Sequence, residues 1–363
     1  MVSAARWSRL IQATEAITVA FATVMLAAAC GGPSPPAATT SAVAPVAAAT
    51  PSLTASASAS VSASAAPARP VAALGVAGRY GVGERRMTFT EPAHVGVTGQ
   101  HLSVRSVLTL IRYPVRRGSS TSWAAGGPFP LVMFAPGFMQ CSDTYERLLQ
   151  SWTSAGYVVA SVDFPRTDCL VGSAAYEPDL VNQPGDVSYV LSQLLALNTQ
   201  AHGFFSGRLD PHEVAAAGQS DGGDTVAALG GNTCCQDHRL KAVAVLSGAE
   251  WPPMPGPYFA GQAPPMLFVQ GNADTINPPW TSVQLYRADR ATRYYLDLYG
   301  ADHMVPYTGD NPVERLVARI TLAFFDRYVL GQAGALTLMT QAADGSGGRA
   351  ALGSGGELPP DTG

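Results

Sequence analysis

Gly218-Gln219-Ser220-Asp221-Gly222 puts a serine between two flanking glycines, with an apolar stretch (213–217) before it and a helical pattern after it. A serine on so sharp a strand-to-helix turn has its hydroxyl exposed. That hydroxyl is a weak nucleophile until a base takes its proton, so a histidine must reach it. Of six histidines, His94 and His101 lie near the first hairpin, His202 and His212 precede the serine strand, and His238 follows the serine helix. His303, in Gly300-Ala301-Asp302-His303, lies just past a late strand, where a loop can bring imidazole over Ser220. A carboxylate must orient that imidazole. Asp274 follows the preceding strand in Gln270-Gly271-Asn272-Ala273-Asp274; Asp302 is the rival, but adjacent loop residues rarely point the same way. Acyl transfer also needs donors for a developing oxyanion. The backbone N–H groups of Asp221 and of Phe138, in Pro136-Gly137-Phe138, are the candidates, a plain turn being the other reading of Pro136-Gly137.

The elements around these residues must alternate. Segments 87–90 and 104–112 read as a hairpin, and Leu131-Val132-Met133-Phe134 as a strand buried on both faces. A helix over 143–152, a strand over 157–162, a long loop to about 181 and a helix over 185–197 follow. Val187, Val190, Leu191, Leu194 and Leu195 share one face of that second helix. After the serine strand and its short helix come strands at 242–246, 266–269 and 294–298. The last helix is signposted by Asn311 as N-cap, Pro312 at its first position and Gly331 past its end. This is an α/β class, a doubly wound, mainly parallel sheet with an N-terminal antiparallel hairpin. Segment 250–264 is too short for a large cap domain, so an open cleft is expected, walled by loop 165–181 and the segment around Trp251 and Tyr258.

Composition divides the chain. Arg6 and Arg9 precede an apolar run at 16–29, which reads as a signal peptide (1–29). Residues 30–70 are almost wholly Ala, Ser, Thr, Pro and Val and read as a disordered tether. Residues 71–335 form the catalytic domain, and 336–363 a Gly-rich, disordered tail with one strand-like stretch at 336–339. A net charge of −4 with no basic block argues against nucleic acid. Neither a cofactor nor a metal set is implied, and a monomer is expected. Export permits disulfides. Cys141 and Cys169 follow neighbouring strands and can bridge; Cys234 and Cys235 either form a vicinal disulfide or stay reduced.

Two resemblances add to this. Leu-Ala-Ala-Ala-Cys before Gly-Gly resembles a bacterial lipoprotein box, which implies lipidation at Cys30 and a membrane anchor facing outward, full secretion being the alternative. Segment 86–330 resembles the α/β-hydrolases, in the branch of dienelactone hydrolases, platelet-activating-factor acetylhydrolases, chlorophyllases and cutinase-like polyester hydrolases. The resemblance rests on Arg112-Tyr113-Pro114, Phe134-Ala135-Pro136-Gly137-Phe138, Gly156-Tyr157-Val158-Val159-Ala160, Asn182-Gln183-Pro184-Gly185-Asp186-Val187, the Gly218–Gly223 turn and the chain order Ser, Asp, His. It implies a Ser220–His303–Asp274 triad, Phe138 as oxyanion donor and substrate contact, and Trp251 as an aromatic cleft wall, with packing an equal alternative. Small-molecule, lipid or polymer esters are the implied substrates. Gln219 departs from the family's His or Trp, and Asp221 from its Met, which makes the substrate shelf less apolar. An amide-cleaving or acyl-transferring enzyme, and a non-catalytic acyl-chain-binding lipoprotein, are the competing readings.

Overall fold

The computed structural model describes residues 77–360 and Thr362. The signal peptide, Cys30 and the tether lie outside the described residues. Strand β1 (Gly81–Glu91) pairs antiparallel along its whole length with β4 (Arg105–Val115); a two-residue ladder, β2 (His94–Val95) with β3 (His101–Leu102), sits in their connection. Then come β5 (Phe129–Ala135), α1 (Glu146–Ala155), β6 (Val158–Asp163), α2 (Gln183–Thr199), β7 (Leu209–Gln219) and α3 (Asp221–Gly231). The chain continues through β8 (Leu240–Leu246), β9 (Met266–Gly271), α4 (Pro279–Ala288), β10 (Arg293–Leu298), α5 (Pro312–Tyr328), α6 (Ala335–Asp344) and β11 (Ala350–Ser354). The nine-stranded sheet runs β1-β4-β6-β5-β7-β8-β9-β10-β11. β6 through β10 are mutually parallel; the antiparallel strands lie at the two edges.

Strand periodicity sends alternate side chains to opposite faces. In β5, Leu131, Met133 and Ala135 join a core with α2, α3 and α4, whereas Val132 and Phe134 join one with α1, α5 and α6. Both cores are apolar, which is why β5 reads as a continuous apolar run. The helix signposts at 311–331 hold: the Asn311 side chain accepts from the N–H groups of Val313 and Glu314, and Gly331 has φ 70°. Between β8 and β9 no helix or strand intervenes, so there is no large cap.

Two expectations change. The tail is folded: α6 buries Ala335, Met339 and Ala343, and stretch 336–339 is helix rather than strand. β11 pairs antiparallel with β10 and closes that edge of the sheet. Helix α4, with Val283, Leu285 and Tyr286 buried, was not read from the sequence; its first turn also buries the polar Thr281 and Ser282. Asp186, in the first turn of α2, pairs with the buried Arg105 (2.7 and 2.6 Å), as does Asp179 (3.1 and 2.8 Å). That cluster ties the segment after β6 to β4.

Candidate active site

The serine turn follows from close packing. Ser220 sits at φ 57°, ψ −126°, a left-handed conformation unusual for a residue with a side chain. Its N–H donates to the Leu246 carbonyl (2.9 Å) and its carbonyl accepts from Asp224 (3.0 Å), which fixes the turn between β7, β8 and α3. A Cβ on Gly218 would meet the Gly222 carbonyl, and one on Gly222 the Ala135 carbonyl. Both flanking glycines are therefore steric requirements. Helix α3 is buried throughout, and Gly230 and Gly231 let it settle against Val243, Met266 and Phe259.

Three of the predicted residues converge at the C-terminal ends of the parallel strands. His303 Nε2 lies 2.8 Å from Ser220 Oγ, and His303 Nδ1 lies 2.7 Å from Asp274 Oδ2. All three side chains are buried. Burial raises the Asp274 carboxyl, but the His303 hydrogen bond and charge, with N–H donors from Asn277 and Ile276, outweigh it and hold the group below its usual value. Gln270 Nε2 adds a further donor at 3.0 Å. Asp302, the rival, accepts instead from the N–H groups of Met304 (3.0 Å) and Val305 (2.8 Å) and shapes the histidine loop. The arrangement can move a proton from the serine to an imidazole whose other nitrogen faces a carboxylate.

The loop after β5 runs alongside. Gly137 N–H donates to the Tyr145 hydroxyl (3.1 Å) and Met139 N–H to the Thr167 carbonyl (2.7 Å). Between them, Phe138 N–H has no partner among the described residues. Asp221, first residue of α3, has no intrahelical acceptor for its N–H. Its carboxyl is buried, with Oδ2 unpartnered among the described residues, and burial followed by the charge of Glu177 pushes it up to about 8. Cys141 and Cys169 are bonded (Cα–Cα 5.3 Å), joining the loop after β5 to the segment after β6. Cys234 and Cys235 are bonded to each other. Trp251 packs against the Leu180, Ala228 and Met254 cluster, as that vicinal pair does, so packing is part of its role.

Several features escaped the sequence reading. Exposed Met139, Leu170, Tyr176, Ile276 and Val305 lie in connections leaving the C-terminal ends of β5, β6, β9 and β10, and exposed Trp280 is the second residue of α4. They give an apolar rim to the edge that carries Ser220, Asp274 and His303. Gln219, noted only as a departure from a pattern, is fully buried and bonded to the histidine loop. Among the described residues no three His, Cys, Asp or Glu side chains group as a metal site, and no helix is long and apolar enough to cross a membrane.

Comparison with known proteins gives one family: the model described as PETase, PET hydrolase-like, matches residues 113–341, from the end of β4 through most of α6. No curated protein matches the chain.

Proposed function

Because the chain belongs to the PET hydrolase-like family, we propose that it is a carboxylic-ester hydrolase working through a Ser220–His303–Asp274 acyl-enzyme cycle. The carrying observation is the unbroken hydrogen-bond line Ser220–His303–Asp274 on a strained serine turn. Ser220 Oγ bonds to the ester carbonyl carbon as its proton passes to His303 Nε2. The N–H groups of Phe138 and Asp221 take the oxyanion. Collapse breaks the bond to the alcohol oxygen, which leaves with the proton from His303. Water, giving a proton to His303, then attacks the acyl carbon, and the acid departs as Ser220 regains its proton. Asp274 keeps Nδ1 protonated and steadies the imidazolium.

The exposed apolar side chains on the loops at this end of the sheet favour esters with extended apolar parts, lipid-like or polymeric, and no cofactor enters the cycle. Phe138 and Trp251 are proposed as substrate contacts. Both disulfides fit an oxidising compartment, in line with export and anchoring through lipid on Cys30. The test is fluorophosphonate labelling and p-nitrophenyl ester hydrolysis by wild type and Ser220→Ala. Label and turnover confined to wild type support the reading; equal behaviour overturns it in favour of a non-catalytic acyl-binding protein.

A further inference from the structure

We propose that Gln219 and Tyr145 are positioning residues that set the oxyanion loop and the histidine loop in register. The inference rests on the triad reading above and adds two residues to it. The Gly137 N–H donates to the Tyr145 hydroxyl at 3.1 Å, and the hydroxyl donates to Gln219 Oε1 at 2.7 Å. Gln219 Nε2 then donates to the His303 carbonyl at 3.0 Å and lies 3.3 Å from His303 Nε2. The line thus joins the residue before Phe138, the residue before the nucleophile and the histidine itself.

The directions in this line are forced. A backbone N–H can only donate, so the Tyr145 oxygen accepts from Gly137 and its single proton must go onward to Gln219. The amide oxygen therefore faces Tyr145 and the amide nitrogen faces the His303 carbonyl. A flipped amide would set two carbonyl oxygens against each other. Tyr145 and Gln219 are both fully buried, so a broken link leaves a polar group with no water to replace its partner. Burial pushes the Tyr145 hydroxyl far above its usual range, which keeps its proton available for Gln219.

Contact on the loop side is direct. A Cβ on Gly137 would stand 2.9 Å from Gln219 Oε1 and 3.1 Å from Ser220 Cβ, so the loop rests on the residues it must serve. A residue longer or apolar at 219 would leave Tyr145 and His303 without a common partner.

Misplacing catalytic groups by about 1 Å can cost roughly 100-fold in rate. Gln219→Met and Tyr145→Phe should each lower kcat about 10- to 100-fold on a soluble p-nitrophenyl ester, with KM changed less than about threefold. If the two side chains act as one line, the double variant should be no worse than the poorer single one. The downfield proton resonance of His303 Nδ1–H should shift in Gln219→Met while the unfolding temperature stays within a few degrees. Wild-type kcat in either single variant, multiplying losses in the double variant, or an unmoved resonance would overturn the proposal. If Gln219→Met does not fold, Tyr145→Phe, which removes one oxygen from a retained ring, decides by the same kcat and KM criteria. Turnover surviving in Ser220→Ala would instead overturn the triad reading and this one with it. An inactive Ser220→Ala beside fully active Gln219 and Tyr145 variants would overturn the positioning role alone.

Discussion

Asp221→Asn should stabilise the protein at neutral and alkaline pH while leaving it nearly unchanged near pH 4. Asp221 is 8% exposed, its Oδ2 has no partner among the described residues, and Asp224 shares its turn of α3. Burial and then Glu177 raise it from 3.8 to about 8. Between those values the folded chain keeps a proton that the unfolded chain has released, so stability is highest below 3.8 and declines as pH climbs toward 8. One group contributes at most about 1.4 kcal/mol per pH unit. Across pH 5 to 7.5 the gap between variant and wild type should therefore widen by up to about 3 kcal/mol. Asparagine keeps the volume and cannot ionise, and the backbone N–H proposed as oxyanion donor is retained, so esterase activity should persist. Asp224, raised well above its ordinary value by burial and then by Asp221, is present in both proteins and should itself ionise more readily in the variant. Urea unfolding of both proteins at pH 5, 6, 7 and 7.5 measures the gap. Parallel stability–pH curves would refute the reasoning, because they would mean that Asp221 ionises in the folded chain at no cost.

Replacing Cys141 and Cys169 together by serine should lower stability by about 3.6 kcal/mol, the chain-entropy value for their separation of 28 residues, read as a fall in urea midpoint. Gly218→Ala should cost at least about 3 kcal/mol and abolish ester turnover, since its Cβ meets the Gly222 carbonyl; a soluble, active variant would argue against the steric account of the turn. Ending the chain after Asp344 removes β11 and bares the edge of β10. A loss on the order of 3 kcal/mol, at roughly 0.5–1 kcal/mol per ladder hydrogen bond, and greater aggregation by light scattering are expected.

What could be read from the sequence was whatever leaves a local trace. The serine turn was legible because Gly218 answers a clash only four residues on, at the Gly222 carbonyl. Helix α5 was legible because Asn311 and Pro312 satisfy its own first turn. β11 was not, because Ala350–Ser354 offers small residues with no strong pattern and is held by main-chain pairing to a strand more than fifty residues earlier. A glycine-rich composition measures the freedom of the unfolded chain, whereas the edge of β10 supplies partners that composition does not reveal. The partner of Asp186 was out of reach for the same reason, because Arg105 is 81 residues away.

Gln219 shows where this limit bears on function. Its position beside Ser220 was plain, yet its partners come from α1's approach, 74 residues upstream, and from the histidine loop, 84 residues downstream. A residue type at that position is selected by what the fold brings to it. Tyr145 supplies a proton on one side and the His303 carbonyl accepts one on the other, and a side-chain amide meets both demands with a single group. The family pattern and the departure from it are then compatible. The serine, histidine and aspartate of the proposed triad answer the demands of acyl transfer, while residue 219 answers the groups that face it. A Gln219→His variant should accordingly recover activity only when Tyr145 is changed with it.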